Sequence, residues 1–378
     1  YNMISYYDHE EDLVPRPTIL HDKGGVDDPH DNSSLALDDA GHLWVYVAGR
    51  ARTRPGFVYR SVEPYDIERF ELVSSDEICY PQPHAVKNRG IFELFTKYTG
   101  VRELYWNLRQ PDGSRGQDQK LAGMEGQYQT SFCADRRIVT AFNRHLKGSP
   151  DRRTDLYYLE TQDLGKTWQT ADGQIVETPL TDPGNPALVK DYNQENRFVY
   201  LNSITLDSRG NPVILVVTSS DHRPGPQGDP RVWEVLHYRD GKWMNHEVTR
   251  STHNYDTGPL WVEPDGTWRV VGPTERGPQR WGGGGEIAVW LSRDEGLTWE
   301  KTRSVTSNSA RNQSYVRKVI GAPHDSPFAM LWADGHADKL SVSRIYFADR
   351  EGRSVRRLPY DMPDEVASPE VVQRAASK

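Results

Sequence analysis

Six times along this chain, short runs of alternating apolar and polar residues are broken by Asp/Gly turns and then resume, at roughly 34–62, 80–108, 127–168, 198–245, 257–300 and 313–358. The turns read Asp39-Ala40-Gly41, Pro111-Asp112-Gly113, Ser208-Arg209-Gly210-Asn211, Asp240-Gly241, Pro264-Asp265-Gly266 and Arg350-Glu351-Gly352. These are hairpin signals, because Gly reaches the φ > 0 conformations of tight turns and Asp bonds its own backbone there. Several strands per unit at a period of about 45–55 residues is the pattern of a β-propeller. The expected fold is therefore all-β. Arg16–Leu20 and Ser354–Leu358 can pair to complete one more unit, so a single seven-bladed propeller spanning 1–378 is expected, closed by its N- and C-terminal strands, with six blades as the second choice.

Composition agrees with a β-rich body. The chain has 11 Trp, 19 Tyr, 31 Gly and 25 Pro, and long windows free of Gly and Pro are scarce, so few helices are expected. A formal charge of −8 argues against a nucleic-acid partner, which requires a basic surface. No apolar run is long enough for a membrane span. The sequence opens on Tyr1, as expected of a trimmed chain, and neither shows nor excludes an export signal. Cys79 and Cys133 have no CxxC spacing; two buried thiols or one bridge both fit.

Two segments sharpen the fold. Thr161-Gln162-Asp163-Leu164-Gly165-Lys166-Thr167-Trp168 and Ser292-Arg293-Asp294-Glu295-Gly296-Leu297-Thr298-Trp299 match the sialidase-type Asp-box. In it, Asp accepts backbone and hydroxyl hydrogen bonds within a turn, Gly supplies a positive φ, and Trp fills the gap between sheets. Both Asp163 and Asp294 read as structural.

Further motifs carry a resemblance. Asp27-Asp28-Pro29-His30-Asp31-Asn32, Leu94-Phe95-Thr96-Lys97-Tyr98 with Arg102-Glu103-Leu104-Tyr105-Trp106, Gly126-Gln127-Tyr128-Gln129, His253-Asn254-Tyr255-Asp256 with Gly272-Pro273-Thr274-Glu275, and Leu331-Trp332-Ala333-Asp334-Gly335-His336 together resemble the BNR-4 repeat family. This group of propellers includes ulvan lyases, rhamnose–glucuronate lyases and α-L-rhamnosidase-like enzymes. The likeness runs from about residue 15 to 360. It implies an exported enzyme, periplasmic or secreted, acting on an acidic poly- or oligosaccharide. It implies no required cofactor and leaves calcium in a central channel open. His30 fits the histidine of the lyases, and Tyr80 in Tyr80-Pro81-Gln82-Pro83 fits their tyrosine. Lys97 is the expected cation. Where the family's second histidine falls, this chain has Arg50, a departure from the ulvan lyase pattern.

β-Elimination from a 4-linked uronic acid needs a cation to neutralise the carboxylate, a base for the C5 proton and an acid for the leaving oxygen. His30, Tyr80, Arg50 and Lys97 supply these types and are the expected catalytic set. Polar residues recur at strand entrances of later blades, where a propeller converges on its centre. Asn32, His84, Gln127, Tyr128, Arg144, His145, His253, Tyr255, Arg276, Tyr315, Arg317 and His336 are accordingly expected to bind substrate, alongside Asn143, Glu275 and Asp334 in the same series. Trp281-Gly282-Gly283-Gly284-Gly285 lacks the lysine of a phosphate loop and leads into a strand, so it reads as a flexible loop. Asp27, Asp28, His30 and Asp31 offer metal ligands without a recognised spacing, and the metal stays unknown.

Three rivals stand beside elimination of a rhamnose–uronate linkage. An α-L-rhamnosidase-like hydrolase would need two carboxylates about 5–10 Å apart, and only Asp31, Glu275 and Asp334 stand at strand entrances. A non-catalytic glycan-binding propeller would arise where catalytic groups are lost. A sialidase would need an arginine triad with a Tyr/Glu pair, a set that does not fall in matching blades.

Overall fold

The computed structural model describes residues 1–26 and 28–373. Among them, six sheets of four or more strands follow one another along the chain, and the helical content is two single 3-10 turns, Leu146–Gly148 and Pro226–Gly228. Among the described residues, no helix is long and apolar enough to cross a membrane. The fold is an all-β propeller.

The chain forms two compact units. Unit one comprises Tyr1–Ser5, Pro17–Pro150 and Leu156–Lys190. Its sheet one contains Ser33–Leu37, Leu43–Val47, Gly56–Ser61 and Phe70–Asp76. Sheet two contains Cys79–Val86, Gly90–Tyr98, Arg102–Arg109 and Gln119–Ala122. Sheet three is built from Gln129–Ala134, Arg137–His145, Arg153–Thr161, Trp168–Gln169 and Ile175–Val176, with Leu188–Lys190 beside its third strand, whose first residues up to Asp155 count with unit two. Unit two comprises Tyr6–Arg16, Asp151–Asp155 and Asp191–Lys378. Its sheet four contains Phe198–Leu206, Pro212–Ser219, Arg231–Arg239 and Lys242–Ser251. Sheet five contains Leu260–Val262, Trp268–Glu275, Glu286–Ser292 and Glu300–Ser304. Sheet six contains Asn312–Lys318, Met330–Gly335, Ile345–Ala348, Val355–Arg357 and Glu370–Gln373.

Each sheet is an antiparallel meander, and successive sheets within a unit share an apolar layer. Phe92, Leu94, Phe142, Tyr157 and Trp168 fill the layer of sheets two and three. Val217, Trp233, Trp268 and Val270 fill that of sheets four and five. Sheets covered on both faces need inner strands that are apolar throughout, and every residue of Pro212–Ser219 is buried.

The seven-bladed expectation gives way to six. Thr18–His21 pairs with Asn2–Ile4 and not with the C-terminal region. Val355–Arg357 is the fourth strand of sheet six, between Ile345–Ala348 and Glu370–Gln373. Both of its edges are taken, so the two segments expected to close a seventh blade do not pair with each other. Val14–Pro15 separately pairs with Val366–Ala367 in unit two. Cys79 is a buried and Cys133 a half-buried free thiol.

At 161–168, Asp163 accepts the Thr167 amide at 2.9 Å and the Thr167 and Thr161 hydroxyls at 2.8 and 2.9 Å. Asp294 does the same for the Thr298 amide and the Ser292 hydroxyl. Gly165 has φ +85°, and a Cβ there would lie 2.4 Å from the Trp106 indole. Gly165→Ala is therefore expected to cost about 2–4 kcal/mol from backbone strain and overpacking together, read as a lower urea midpoint. An unchanged midpoint would show that the turn can be rebuilt.

Candidate functional site

The first strands of sheets one, two and three lie side by side. Ser34 donates to the Pro81 carbonyl at 2.7 Å, Gln82 donates to the Gln129 carbonyl at 2.8 Å, and His84 meets the Ser131 hydroxyl at 2.8 Å. Their entrances, with the ends of the second strands, assemble a polar cluster in unit one.

His30 sits in the turn before sheet one. Its Nδ1 lies 2.6 Å from Asp28 Oδ1, and its backbone amide donates to the same oxygen at 2.9 Å. The Arg54 guanidinium beside Asp28, followed by these bonds from His30, holds the carboxyl well below the usual carboxylate range. An ionised carboxylate only accepts, so His30 Nδ1 carries the proton and Nε2 keeps its lone pair in the neutral ring.

Tyr80 follows on sheet two. Its φ is +51°, a left-handed conformation that is strained for an aromatic residue, and it falls where the register of the strand slips between Cys79 and Gln82. This bulge re-aims the ring. The ring meets His30 edge-on at 6.2 Å and Tyr128 edge-on at 5.2 Å. Arg50 Nη1 lies 3.5 Å from the Tyr80 hydroxyl, and Arg50 Nε lies 3.7 Å from Asp28. Burial, helped by the Tyr128 phenol, pushes the Tyr80 hydroxyl well above its ordinary value. The phenol is therefore protonated at neutral pH.

Behind Tyr80 stands Arg102. Its guanidinium lies 5.3, 5.2 and 4.5 Å from the rings of Tyr80, Tyr98 and Tyr128, and it donates to the hydroxyls of Tyr98 and Tyr128 at 2.8 and 2.5 Å. Three aromatic faces around one guanidinium fix its direction by cation–π attraction. Tyr128 also meets the buried His145 ring at 4.7 Å, tilted by 56°. Arg144 pairs with Glu125 at 2.6 Å, and Gln127 is buried, its amide bonded to the Arg102 carbonyl.

The structure thus brings together His30, Tyr80, Arg50, Tyr128 and His145. It does not bring Lys97. Residues of a strand alternate in direction, so where Tyr98 faces Arg102, Lys97 faces the other side, pairing with Asp118 at 2.9 Å over the Tyr105 ring. The cation at this position is Arg102. Asn32 is exposed, its carbonyl bonded to the Ala48 amide. His84, lowered to about 4 by burial, links sheets two and three. Arg54 bonds both Asp28 and Asp31, at 2.7 and 2.8 Å, and Asp27 lies outside the described residues. No cluster of three or more metal-ligating side chains occurs among the described residues. Behind Asp31 and Arg54 lies a pocket of about 260 Å³, lined also by His21, Lys23 and Phe57.

Unit two holds a second constellation. Tyr255 donates to Asp151 at 3.2 Å, and Arg153 Nη2 donates to the Tyr255 hydroxyl at 3.1 Å. The Arg153 guanidinium lies 5.1 and 4.9 Å from the rings of Tyr200 and Tyr255. His253 stands beside Tyr255, ring centroids 5.5 Å apart. Arg276, just past the second strand of sheet five, and Tyr315 and Arg317 on sheet six are exposed, and His336 is half-buried just past the second strand of sheet six, its Nδ1 accepting the Asp338 amide. These four lie outside both constellations. Glu275 is tied to Lys301.

The glycine run 281–285 is pinned where a flexible loop was expected. Asn312 donates to the carbonyls of Gln279 and Gly283 at 2.9 and 3.2 Å, and Asp256 accepts the Gly284 amide at 2.7 Å. Asp256 also accepts the His253 amide at 2.9 Å. Burial pushes the Asp256 carboxyl up to about 7 against these bonds. Between the ordinary carboxylate range and that value, the unfolded chain has lost this proton and the folded chain keeps it. The contribution of Asp256 to stability therefore falls as pH rises through the window. Asp256→Asn is expected to remove that slope, so the wild-type stability minus the variant's, from urea unfolding, declines as pH rises to neutrality. A flat difference would contradict it.

Arg54, Arg102, Arg153 and Arg231 share a position that sequence reasoning passed over: each opens the third strand of its sheet or stands just before it. An arginine at or just before the third β-run of each sheet but the fifth, which opens on Glu286, was the available signal.

Among solved structures, the fold is similar to that of an ulvan lyase of polysaccharide lyase family 25, at TM-score 0.76 and 16% identity over 92% of this chain and 87% of that one. The same enzyme bound to -[GlcA(1-4)Rha3S]- matches at TM-score 0.76 and 15% identity over the same shares. Polysaccharide lyase Uly1 matches at TM-score 0.62 and 10% identity, over 91% and 86%. Comparison with curated protein sequences finds no match. The model of the BNR repeat-containing family BNR_4 matches residues 3–251, more than half of the sequence, and the chain belongs to that family.

Proposed function

We propose that this protein is a polysaccharide lyase that cleaves a 4-linked uronate, in a rhamnose–uronate or similar linkage, by β-elimination. The observation that carries the reading is the pairing of a base and an acid. His30, with its Nδ1 proton given to Asp28, offers Nε2 as base, while the edge-on Tyr80 phenol is kept protonated as acid beside Arg50.

In this mechanism Arg50 and Arg102 neutralise the uronate carboxylate, which acidifies the C5 proton. His30 Nε2 takes that proton. The electron pair forms the C4–C5 double bond, the C4–O4 bond breaks, and Tyr80 gives its proton to the departing O4. Similarity to lyases, one of them bound to a glucuronate–rhamnose sulfate oligosaccharide, supports the substrate class. A polymeric substrate of this kind suits a periplasmic or secreted protein. The hydrolase alternative lacks comparable support, since its carboxylates Asp31, Glu275 and Asp334 are engaged by Arg54, by Lys301 and by the Arg344 amide.

The test is incubation with glucuronate–rhamnose polymers, followed by near-ultraviolet absorbance of the unsaturated uronate. A rising absorbance is expected. Free sugar released without it would select hydrolysis, and binding without any product would select a glycan-binding propeller.

A further inference from the structure

We infer that Tyr315 and Arg317, on the first strand of sheet six, form a subsite of unit two that takes an acidic sugar residue, its ring face on the tyrosine and its acid group on the guanidinium. The ligand class rests on the polysaccharide reading above, while the site rests on the strand itself.

That strand repeats the device found at Tyr80. Tyr315 has φ +56° against +51° for Tyr80, and each lies inside the first strand of its sheet. In sheet two, Cys79 faces Thr96 and Gln82 faces Leu94, so the first strand carries an extra residue over its neighbour. Sheet six matches this, with Ser314 facing Ala333 and Arg317 facing Leu331. At both bulges the tyrosine takes the left-handed conformation and a buried residue follows it, Pro81 in one and Val316 in the other. The two tyrosines are presented alike.

Their rings fare differently. The Tyr80 ring is met by His30, by Tyr128 and by the Arg102 guanidinium. The Tyr315 ring is 57% exposed, and among the described residues no aromatic ring or cation packs on it and nothing bonds its hydroxyl. A left-handed conformation is costly for an aromatic residue, and such strain marks sites of function. Glycine would form the same bulge without strain. What the tyrosine adds is an outward ring.

The backbone beneath that ring is fixed from both sides. Before the bulge, the Gln313 amide donates to the Gly285 carbonyl at 2.8 Å and its carbonyl accepts the Gly285 amide at 2.9 Å, while its side-chain oxygen accepts the Trp332 indole at 2.8 Å. After it, Val316 is buried in the apolar layer of sheets five and six. A rigid aromatic face of this kind suits stacking on a sugar ring.

Arg317 supplies the charge. Its side chain reaches solvent, yet desolvation pushes the guanidinium below its ordinary value, and the Tyr315 phenol is the group that acts against this shift. No carboxylate pairs with Arg317 among the described residues, whereas Arg311 and Arg350 of the same unit meet Asp334 and Glu263. A partly desolvated cation without a counter-charge gains more from an incoming carboxylate than a solvated one does.

The test uses Tyr80→Phe protein labelled with 3-fluorotyrosine, titrated with a tetrasaccharide of alternating 4-linked glucuronate and rhamnose or with its carboxyl-reduced form. The Tyr315 fluorine signal, identified by its loss in Tyr315→Phe, is expected to shift saturably with the acidic probe. Arg317→Gln is expected to weaken that titration about tenfold or more, the scale of a charge-assisted bond, and to erase the preference of this signal for the acidic probe over the reduced one. Tyr315→Gly is expected to keep or raise the urea midpoint, because glycine takes the left-handed bulge without strain. A Tyr315 signal that stays still while other tyrosine signals move would overturn the subsite and leave the polysaccharide reading standing. So would an Arg317→Gln titration equal to its parent's, or a lowered midpoint for Tyr315→Gly. A tetrasaccharide that moves no tyrosine signal would overturn both. Absence of unsaturated product from wild-type protein, with the Tyr315 response present, would count against elimination alone.

Discussion

Replacing Tyr80 by phenylalanine is expected to lower uronate elimination by about 10²–10⁴-fold, the range a positioned proton donor contributes, while leaving the fold intact. The variant keeps the ring and therefore its edge-on contacts with His30 and Tyr128 and the Arg102 face. What it removes is the hydroxyl 3.5 Å from Arg50. The loss should appear in kcat with little change in KM, because the proton moves only as the C4–O4 bond breaks. Since burial raises the phenol above its ordinary value, the wild-type rate should not decline through loss of this proton until beyond the ordinary tyrosine range. Turnover of Tyr80→Phe within a factor of a few of wild type would remove the residue from the acid role.

The largest effect on stability is expected at Arg109. Its side chain is 1% exposed, and its Nε donates to Glu93 at 2.6 Å while Nη1 donates to the Gly113 carbonyl at 3.0 Å. Glu93 in turn accepts the buried Tyr46 hydroxyl of sheet one at 2.7 Å. Removing the cation leaves the Glu93 carboxylate between two sheets with only the Arg115 guanidinium, at 3.3 Å, to compensate it. Arg109→Leu is therefore expected to cost about 3–5 kcal/mol, measured by urea unfolding. The double variant Arg109→Leu/Glu93→Leu should recover part of this loss, because the stranded charge is gone. If the double variant were less stable than the single, the charge pair would not be the cause. The strand concerned is the one that Arg102 opens, so this network also supports the candidate site.

Much of the architecture could be read from local signals. Asp163, Gly165 and Trp168 act within one turn, and their spacing alone announced it. Inner strands such as Pro212–Ser219 depart from the alternation expected of them, because both of their faces are covered. The blade count was misjudged because Thr18–His21 and Val355–Arg357 are ordinary strands whose partners are chosen by long-range pairing, which local pattern does not contain.

The site was legible in its ingredients and not in its wiring. His30, Tyr80 and Arg50 could be named from residue type and resemblance, and they do assemble. Lys97 could not be told from Arg102 by type, since both are cations near one hairpin. Which of them faces Tyr80 depends on strand alternation and on the bulge at Tyr80. The partner of His30 was hidden for a related reason, because Asp28 and Asp31 look alike in sequence.

From sequence alone came a propeller of repeated antiparallel meanders, and a stock of imidazole, phenol and guanidinium groups at strand entrances. Those properties are local, set by turn chemistry and side-chain period. Only the tertiary structure decided that there are six sheets, that Arg102 and not Lys97 stands behind Tyr80, and that His30 Nδ1 meets the Asp28 carboxylate. Each of those depends on which backbone or carboxylate a side chain meets across a gap between strands, and such meetings are settled by packing.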